Sequence, residues 1–349
     1  MDARALPYLR AASQRAAHFL AARQEKSGAW RDYPQFPMGP SDGWVSAYVG
    51  RALLDYSRQG ADPRAEESAR RAAEWLSTWR DFSQGWGYNA ASGPDADSTS
   101  HALSLLRAAG KNPRPEDSAW LSLHWRGNGG CATYLRRDAW GAAHIDVSPV
   151  ALLALSPEER LARRDSFLEF SSLCRAVDGS WPAYWWRSCY YSTFWNLRAL
   201  RALGVEVPPL EIASSHSTRE IESNFDLAFA LGVALLTQRP AGATAAALLH
   251  RQQPDGGWQG APNLRITDPL CFRPWERSIG AFYPDSFGLI TTASALLVLS
   301  NCLQTLAQLD THSHSLKPSQ TPAQLDTHSH SLKPSQPPAQ LDTHPQEAP

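Results

Sequence analysis

A tryptophan follows a glycine-bearing turn again and again along this chain, and that recurrence limits the fold more than any other feature. The segment Phe19-Leu20-x3-Gln24-x3-Gly28-x-Trp30 has a second full copy in Leu248-Leu249-x3-Gln253-x2-Gly256-Gly257-Trp258. Looser copies lead from Trp75-Leu76 to Gly85-Trp86-Gly87 and from Phe167-Leu168 to Asp178-Gly179-Ser180-Trp181. Glycine supplies a positive-φ turn after a helix, and a glutamine amide can bond the unpaired backbone groups that helix ends leave. Tryptophan packs a large flat surface beneath the next helix while its indole N–H seeks an acceptor. The turns therefore read as staples between paired helices.

Between the staples, apolar residues recur at helical spacing, as in Leu6, Leu9, Ala16, Phe19 and Leu20, with no alternation of strand type. The segments pair as six helical hairpins: about 4–24 with 44–57, 65–80 with 97–109, 115–124 with 147–156, 159–175 with 190–203, 208–217 with 224–237, and 241–252 with 286–303. Six such pairs closing on themselves predict an all-α (α/α)6 toroid over residues 1–304, with one ring of helices inside the other. The segment 208–217 has the weakest periodicity. From 305 to 349 the chain changes character: Ala307–Pro322 recurs almost unchanged as Ala323–Pro338, a 16-residue tandem repeat rich in Pro, Ser, Gln and His. Such a composition cannot repay the entropy of ordering, so disorder is expected there.

Composition excludes several function classes. A formal charge of −1 and no basic stripe argue against a nucleic-acid partner. Five scattered cysteines, none in Cys-x-x-Cys spacing, read as reduced thiols of a cytoplasmic protein, and no apolar run is long enough for a membrane span or signal peptide. No Asp-Asp-x-x-Asp magnesium motif occurs, and Cys271 after Asp268-Pro269-Leu270 does not carry the Asp-x-Cys spacing of a prenyltransferase zinc site, so neither metal nor cofactor is expected.

The repeated turn resembles the QW repeat of squalene-hopene cyclases and related class II terpene cyclases. Pro94-Asp95-Ala96-Asp97-Ser98-Thr99-Ser100, at the head of the second inner helix, resembles their Asp-x-Asp-Asp-Thr-Ala acid motif, in which the middle Asp protonates an alkene or epoxide. The resemblance implies that Asp97 is that acid and Asp95 its neighbour. The family's third Asp is Ser98 here. Without the resemblance, the same residues read as an N-cap, with the Asp97 carboxylate bonding the N–H groups of Thr99 and Ser100. The two readings make opposite demands, because a cap is stabilised as the anion whereas a proton donor must stay neutral through burial or a neighbouring carboxylate.

Asp146-Val147-Ser148-Pro149-Val150 resembles the family's Asp-Val-Thr-Ala-His segment, which implies a place for Asp146 in the hydrogen-bond network near the acid. Val150 stands at the position of the acid-contacting His; His144, two residues before Asp146, either replaces it from a different direction or is a loop histidine without a role. Asp178-Gly179-Ser180-Trp181 and the aromatic run after it resemble the segment that walls the family's cation cavity. The substrate-contacting residues expected on that basis are Trp181, Tyr190, Tyr191 and Phe194, with His144 and with Trp44 at the head of the first inner helix. The resemblance implies a cyclase acting on an isoprenoid by protonation; the alternative is a non-catalytic isoprenoid-binding or scaffold subunit. Family members with this acid motif normally carry a second barrel, so a second barrel subunit, a homodimer or a cavity within the single barrel is expected, with peripheral membrane contact as a further partner.

Overall fold

The structure is a computed structural model that describes residues 3–60, 62–78, 84–206, 210, 221–277 and 279–315. Its helices are α1 (Leu6–Ala22), α2 (Gly43–Gly60), α3 (Pro63–Thr78), α4 (Ala96–Ala108), α5 (Pro115–Ser122), α6 (Ser148–Ala154), α7 (Pro157–Ala162), α8 (Arg164–Leu173), α9 (Tyr190–Ala202), α10 (Asn224–Leu236), α11 (Gly242–His250) and α12 (Leu289–Ser315). Helices α2, α4, α6, α9, α10 and α12 touch one another in that order, and α12 returns to α2, which closes an inner ring. Helices α1, α3, α5, α7, α8 and α11 stand outside it, giving the helical barrel expected from the periodicity.

The differences from expectation are local. The segment 159–175 is two helices, α7 and α8, broken at Arg163. Helix α12 continues to Ser315, past the end expected near 303 and into the first repeat. The helix expected at 208–217 lies outside the described residues, as does the rest of the repeat tail. A two-stranded antiparallel hairpin, β1 (Pro262–Ile266) with β2 (Ala281–Pro284), joins α11 to α12 where no strand was anticipated.

All four Gly-Trp turns are built alike. The indole N–H of each tryptophan donates to the carbonyl ten residues earlier: Trp30 to Leu20 at 2.7 Å, Trp86 to Leu76 at 2.9 Å, Trp181 to Ser171 at 2.8 Å and Trp258 to Leu248 at 2.7 Å. Each tryptophan's backbone N–H donates to a hydroxyl on the following inner helix, from Ser46, Thr99, Thr193 and Thr292 in turn. The staple thus ties the C-terminal carbonyls of an outer helix to the first turns of its inner partner. A fifth copy sits where no tryptophan marks it: Cys131 follows Gly129-Gly130, and its N–H donates to Ser148 at 2.8 Å.

The glutamine of the second full copy is Gln252, not the expected Gln253. Its amide donates to Gly256 O at 2.8 Å and to Ala12 O at 2.9 Å, matching the bonds of Gln24 to Gly28 O and Ser68 O. Because Ala12 lies on α1, this last turn also closes the outer ring. Gly256 must be glycine there: its φ is +93°, and a Cβ would fall 2.4 Å from Arg15 O on α1.

Candidate active site

The inner helices begin at one end of the barrel, and the loops that lead into them surround a cavity of about 390 Å³ there. Phe36, Trp44, Tyr88, Tyr134, Trp140, Trp185 and Trp186 supply aromatic walls, and Asp97 opens onto it from the first turn of α4. The β1 residues Leu264 and Ile266 complete one side, and Arg136 stands among the lining residues, paired with Asp138. This chain forms the cavity by itself.

Asp95, rather than Asp97, caps α4. Its Oδ1 accepts the Ser98 N–H at 2.7 Å, and its Oδ2 accepts the Ser98 hydroxyl at 2.7 Å. Ser98, where the resembled motif has its third Asp, therefore holds the cap in place. The consequence falls on Asp97. Its Oδ1 is buried with no hydrogen-bond partner, and Nε2 of His101, one turn further along α4, lies 3.7 Å away. Burial holds the Asp97 carboxyl well above the usual carboxylate range, and the like charges of Asp95 and Asp146 push it the same way.

Asp146 is anchored by peptide groups. Its Oδ2 accepts the N–H of Tyr184 at 2.8 Å and of Trp185 at 2.7 Å, so it fixes the segment that carries Trp185 and Trp186 into the cavity wall. Burial raises both Asp95 and Asp146 to about 6. Of the three carboxyls, Asp97 is therefore the one that burial and its neighbours most favour in the neutral form.

His144 does not reach the acid. Its Nε2 faces the Ala139 carbonyl at 2.8 Å, which fixes the proton there, and its Nδ1 lies 2.7 Å from the Thr133 hydroxyl. The ring stacks on Tyr184 at 4.0 Å, and burial lowers it to about 4, so it is a neutral brace behind Trp185. Val150 faces a different cavity on the inner ring. His101, rather than His144, is the histidine beside Asp97.

Of the expected substrate-contacting residues, the structure places only Trp44 on the cavity. Trp181 is one of the staples, its indole turned to Ser171. Tyr191 is fully buried behind Trp186, stacked on it at 4.4 Å, and Phe194 packs against Phe229 at 5.1 Å inside the ring. Tyr190 borders a shallow depression beside Asp226 instead. The physical reason is helical phase: α9 wedges between α6 and α10, and its aromatic face points into that packing rather than up into the cavity.

No protein-family model and no curated protein sequence matches the chain. Solved structures do. The type II terpene cyclase MstE from Scytonema, without ligand, superposes with a TM-score of 0.73 at 27% identity, over 86% of this chain and 99% of that one. The chain has the fold of a class II terpene cyclase. A variant of MstE in complex with its substrate, geranylgeranyl dihydroxybenzoate, gives a TM-score of 0.72 at 25% identity over 86% and 98% of the two chains. Another variant holds the product merosterolic acid A, with a TM-score of 0.73 at 25% identity over 87% and 99%. A protein from Actinoplanes matches with a TM-score of 0.68 at 28% identity, over 83% of this chain and 98% of that one. These likenesses support a cyclase function for this chain.

Among the described residues no helix is long and apolar enough to cross a membrane, and no group of His, Cys, Asp and Glu is arranged to hold a metal ion.

Proposed function

We propose that this chain is a protonation-initiated terpene cyclase with Asp97 as the general acid. The single observation that carries the reading is the Asp97 carboxyl itself: half-buried, with Oδ1 buried and free of a partner, on an aromatic-walled cavity while Asp95 performs the capping. Burial and two neighbouring carboxylates keep it neutral, so it arrives at the substrate with its proton.

The chemistry follows from that arrangement. With a terminal alkene the carboxyl proton forms a new C–H bond as the π bond breaks, and with an epoxide it forms an O–H bond as a C–O bond breaks; either way a tertiary cation is left on the neighbouring carbon and the Asp97 carboxylate remains. Successive alkenes of the folded isoprenoid add to it, and loss of a proton or capture of water ends the cascade. The faces of Trp44, Trp185, Trp186, Tyr88 and Tyr134 stabilise the migrating charge by about 0.5–2 kcal/mol per ring without forming bonds to it. The substrate class that fits is an isoprenoid with a polar head group left near the cavity mouth, as in the MstE substrate, and Arg136 is the cation that would face that head.

The test is incubation with geranylgeranyl dihydroxybenzoate, farnesyl and geranylgeranyl diphosphates, squalene and the corresponding epoxides, for the wild-type protein and for Asp97→Asn. A cyclic product from at least one substrate, lost in the variant, is expected. Product formation unaffected by the substitution would overturn the assignment of the acid, and no cyclisation of any substrate would favour a non-catalytic isoprenoid-binding subunit.

A further inference from the structure

Buried charge is stable only when it is balanced, and a second cavity of this barrel gathers more positive charge than its own carboxylates offset. This cavity, of about 240 Å³, is walled by α2, α4, α6, α9 and α12 and lies apart from the aromatic one onto which Asp97 opens. Arg51 of α2, Arg160 of α7 and Arg198 of α9 line it, and Asp55 is the one carboxylate among its described lining residues. Asp55 is already engaged, since its Oδ1 accepts Arg51 Nε at 2.9 Å. Arg160 directs Nε and Nη2 to the carbonyls of Leu152, Leu153 and Leu155 where α6 ends, bonds that hold the side chain but cancel no charge. Arg198 has no hydrogen bond and no ion pair among the described residues. Its guanidinium stands 5.1 Å from the Trp195 ring and 5.7 Å from that of Phe194. The aromatic cavity differs in both respects, because its single arginine, Arg136, is paired with Asp138.

We infer that the second cavity is a binding site for a small phosphoryl oxyanion, inorganic phosphate or diphosphate, held by Arg198 together with Arg51 and Arg160. The free donors fit such a ligand. An arginine offers five N–H groups in a planar fork that meets the oxygens of a phosphate two at a time. Arg198 has its whole fork to give, while Arg51 keeps Nη2 and Arg160 keeps Nη1, neither of them bonded to any described residue. Charge selects the ligand class. Three guanidinium groups against one carboxylate leave a surplus of two, and His101, which burial lowers to about 3, adds none. A dianion restores balance, whereas a monocarboxylate would leave one cation unmatched. Burial lowers Arg160 and Arg198 from the ordinary guanidinium value, the expected state of cations that lack a counter-ion. The site stands independently of the chemistry at Asp97.

The experiment is calorimetric titration of sodium phosphate and, separately, of sodium diphosphate into the whole substrate-free chain, at an ionic strength fixed with chloride, with melting temperatures read in parallel. One equivalent of at least one of the two anions is expected to bind the wild type and to raise its melting temperature, and the tighter of them identifies the ligand. Arg198→Met, which fills the same space without donors, is expected to weaken binding by about 100-fold. Arg198→Lys keeps the charge but not the fork, and is expected to weaken it by about tenfold. Arg136→Gln, in the aromatic cavity, is expected to bind as the wild type does. No binding of either anion to the wild type at millimolar concentration, or binding that survives Arg198→Met, would overturn the site, and wild-type affinity in Arg198→Lys would do so by itself. Binding lost in Arg136→Gln and kept in Arg198→Met would put the anion in the aromatic cavity, which overturns it as well.

Discussion

Two clusters of buried aspartates stand near the same end of this barrel, and they differ in what their oxygens meet. Asp32 and Asp285 form one. Asp32 accepts the N–H groups of Tyr33, Phe287 and Leu289, and Asp285 accepts those of Ala261 and Thr291, so both are saturated with peptide donors. These bonds join the turn after α1 to the loop before α12, residues more than 250 positions apart, and so fasten the ends of the ring. The second cluster is Asp95, Asp97 and Asp146. There the outer two are saturated in the same manner on at least one oxygen, and the middle one is left open toward a cavity. Burial raises the carboxyls in both, Asp285 to about 7. A raised carboxyl is therefore not what separates a clasp from an acid. A free oxygen facing space for a substrate is.

The contrast can be broken most forcefully at Asp97. Replacement by Asn should lower cyclisation by about 1,000-fold in a product assay, since the general acid is gone while the cavity remains. The same variant should be more stable than wild type at pH 8. The folded-state carboxyl is raised above its unfolded value of 3.8, so keeping Asp97 buried is unfavourable above that value and neutral below it. The gain in melting temperature should shrink as pH falls from 8 and vanish near 3.8; an equal gain at all pH values would show that the shift is not its source.

At the clasp the signs reverse. Asp285→Asn turns an amide donor toward peptide N–H groups and should cost about 2 kcal/mol in urea unfolding, with the rate per folded molecule unchanged. A variant that lost activity without losing stability would make the two clusters functionally alike. Trp44→Leu should reduce the cyclisation rate per folded molecule by about tenfold through the loss of one aromatic face, and should cost about 2 kcal/mol of stability as well, because the ring also packs against Tyr33, Tyr48 and Trp186. Trp258→Phe should touch stability alone. It removes the bond to Leu248 O, which should cost about 1 kcal/mol of stability and leave the rate within twofold or so of wild type.

What the chain discloses before folding follows the same division. Staples are legible because their geometry is local: a positive-φ glycine and an indole reaching a carbonyl ten residues back leave a spaced signature. Where the indole is absent, as at Cys131, the same turn forms without a mark to find it by. Two adjacent glutamines, Gln252 and Gln253, could not be told apart by spacing, since only the approach of α1 selects the one that bonds Ala12. The motif singled out Asp97 by resemblance, but the residue that caps α4 was not legible: the sequence alone offered Asp97 as the cap, and it is Asp95. Asp95 and Asp97 are equally able to bond N–H groups, and the choice depends on which backbone conformation precedes α4.

The cavity wall was the least legible part. Phe36, Tyr88, Tyr134, Trp185 and Trp186 lie in irregular segments and Trp140 in a single 3-10 turn, where no period says which way a side chain turns. The regular aromatic stripe of α9 drew attention instead and proved to be packing. His101 was visible within the acid motif, four residues after Asp97, a spacing that puts both on one face of a helix.

The most direct test of Asp97 as a proton donor is to run the cyclisation of geranylgeranyl dihydroxybenzoate, or of whichever isoprenoid in the panel is turned over, in D2O and to locate the label in the product. With an alkene substrate, one deuterium is expected on the alkene carbon that takes the proton, next to the carbon that forms the first ring bond, in the wild type only, with no labelled product from Asp97→Asn. A cyclic product without deuterium at that carbon, or the same labelled product from the variant at the wild-type rate, would contradict it.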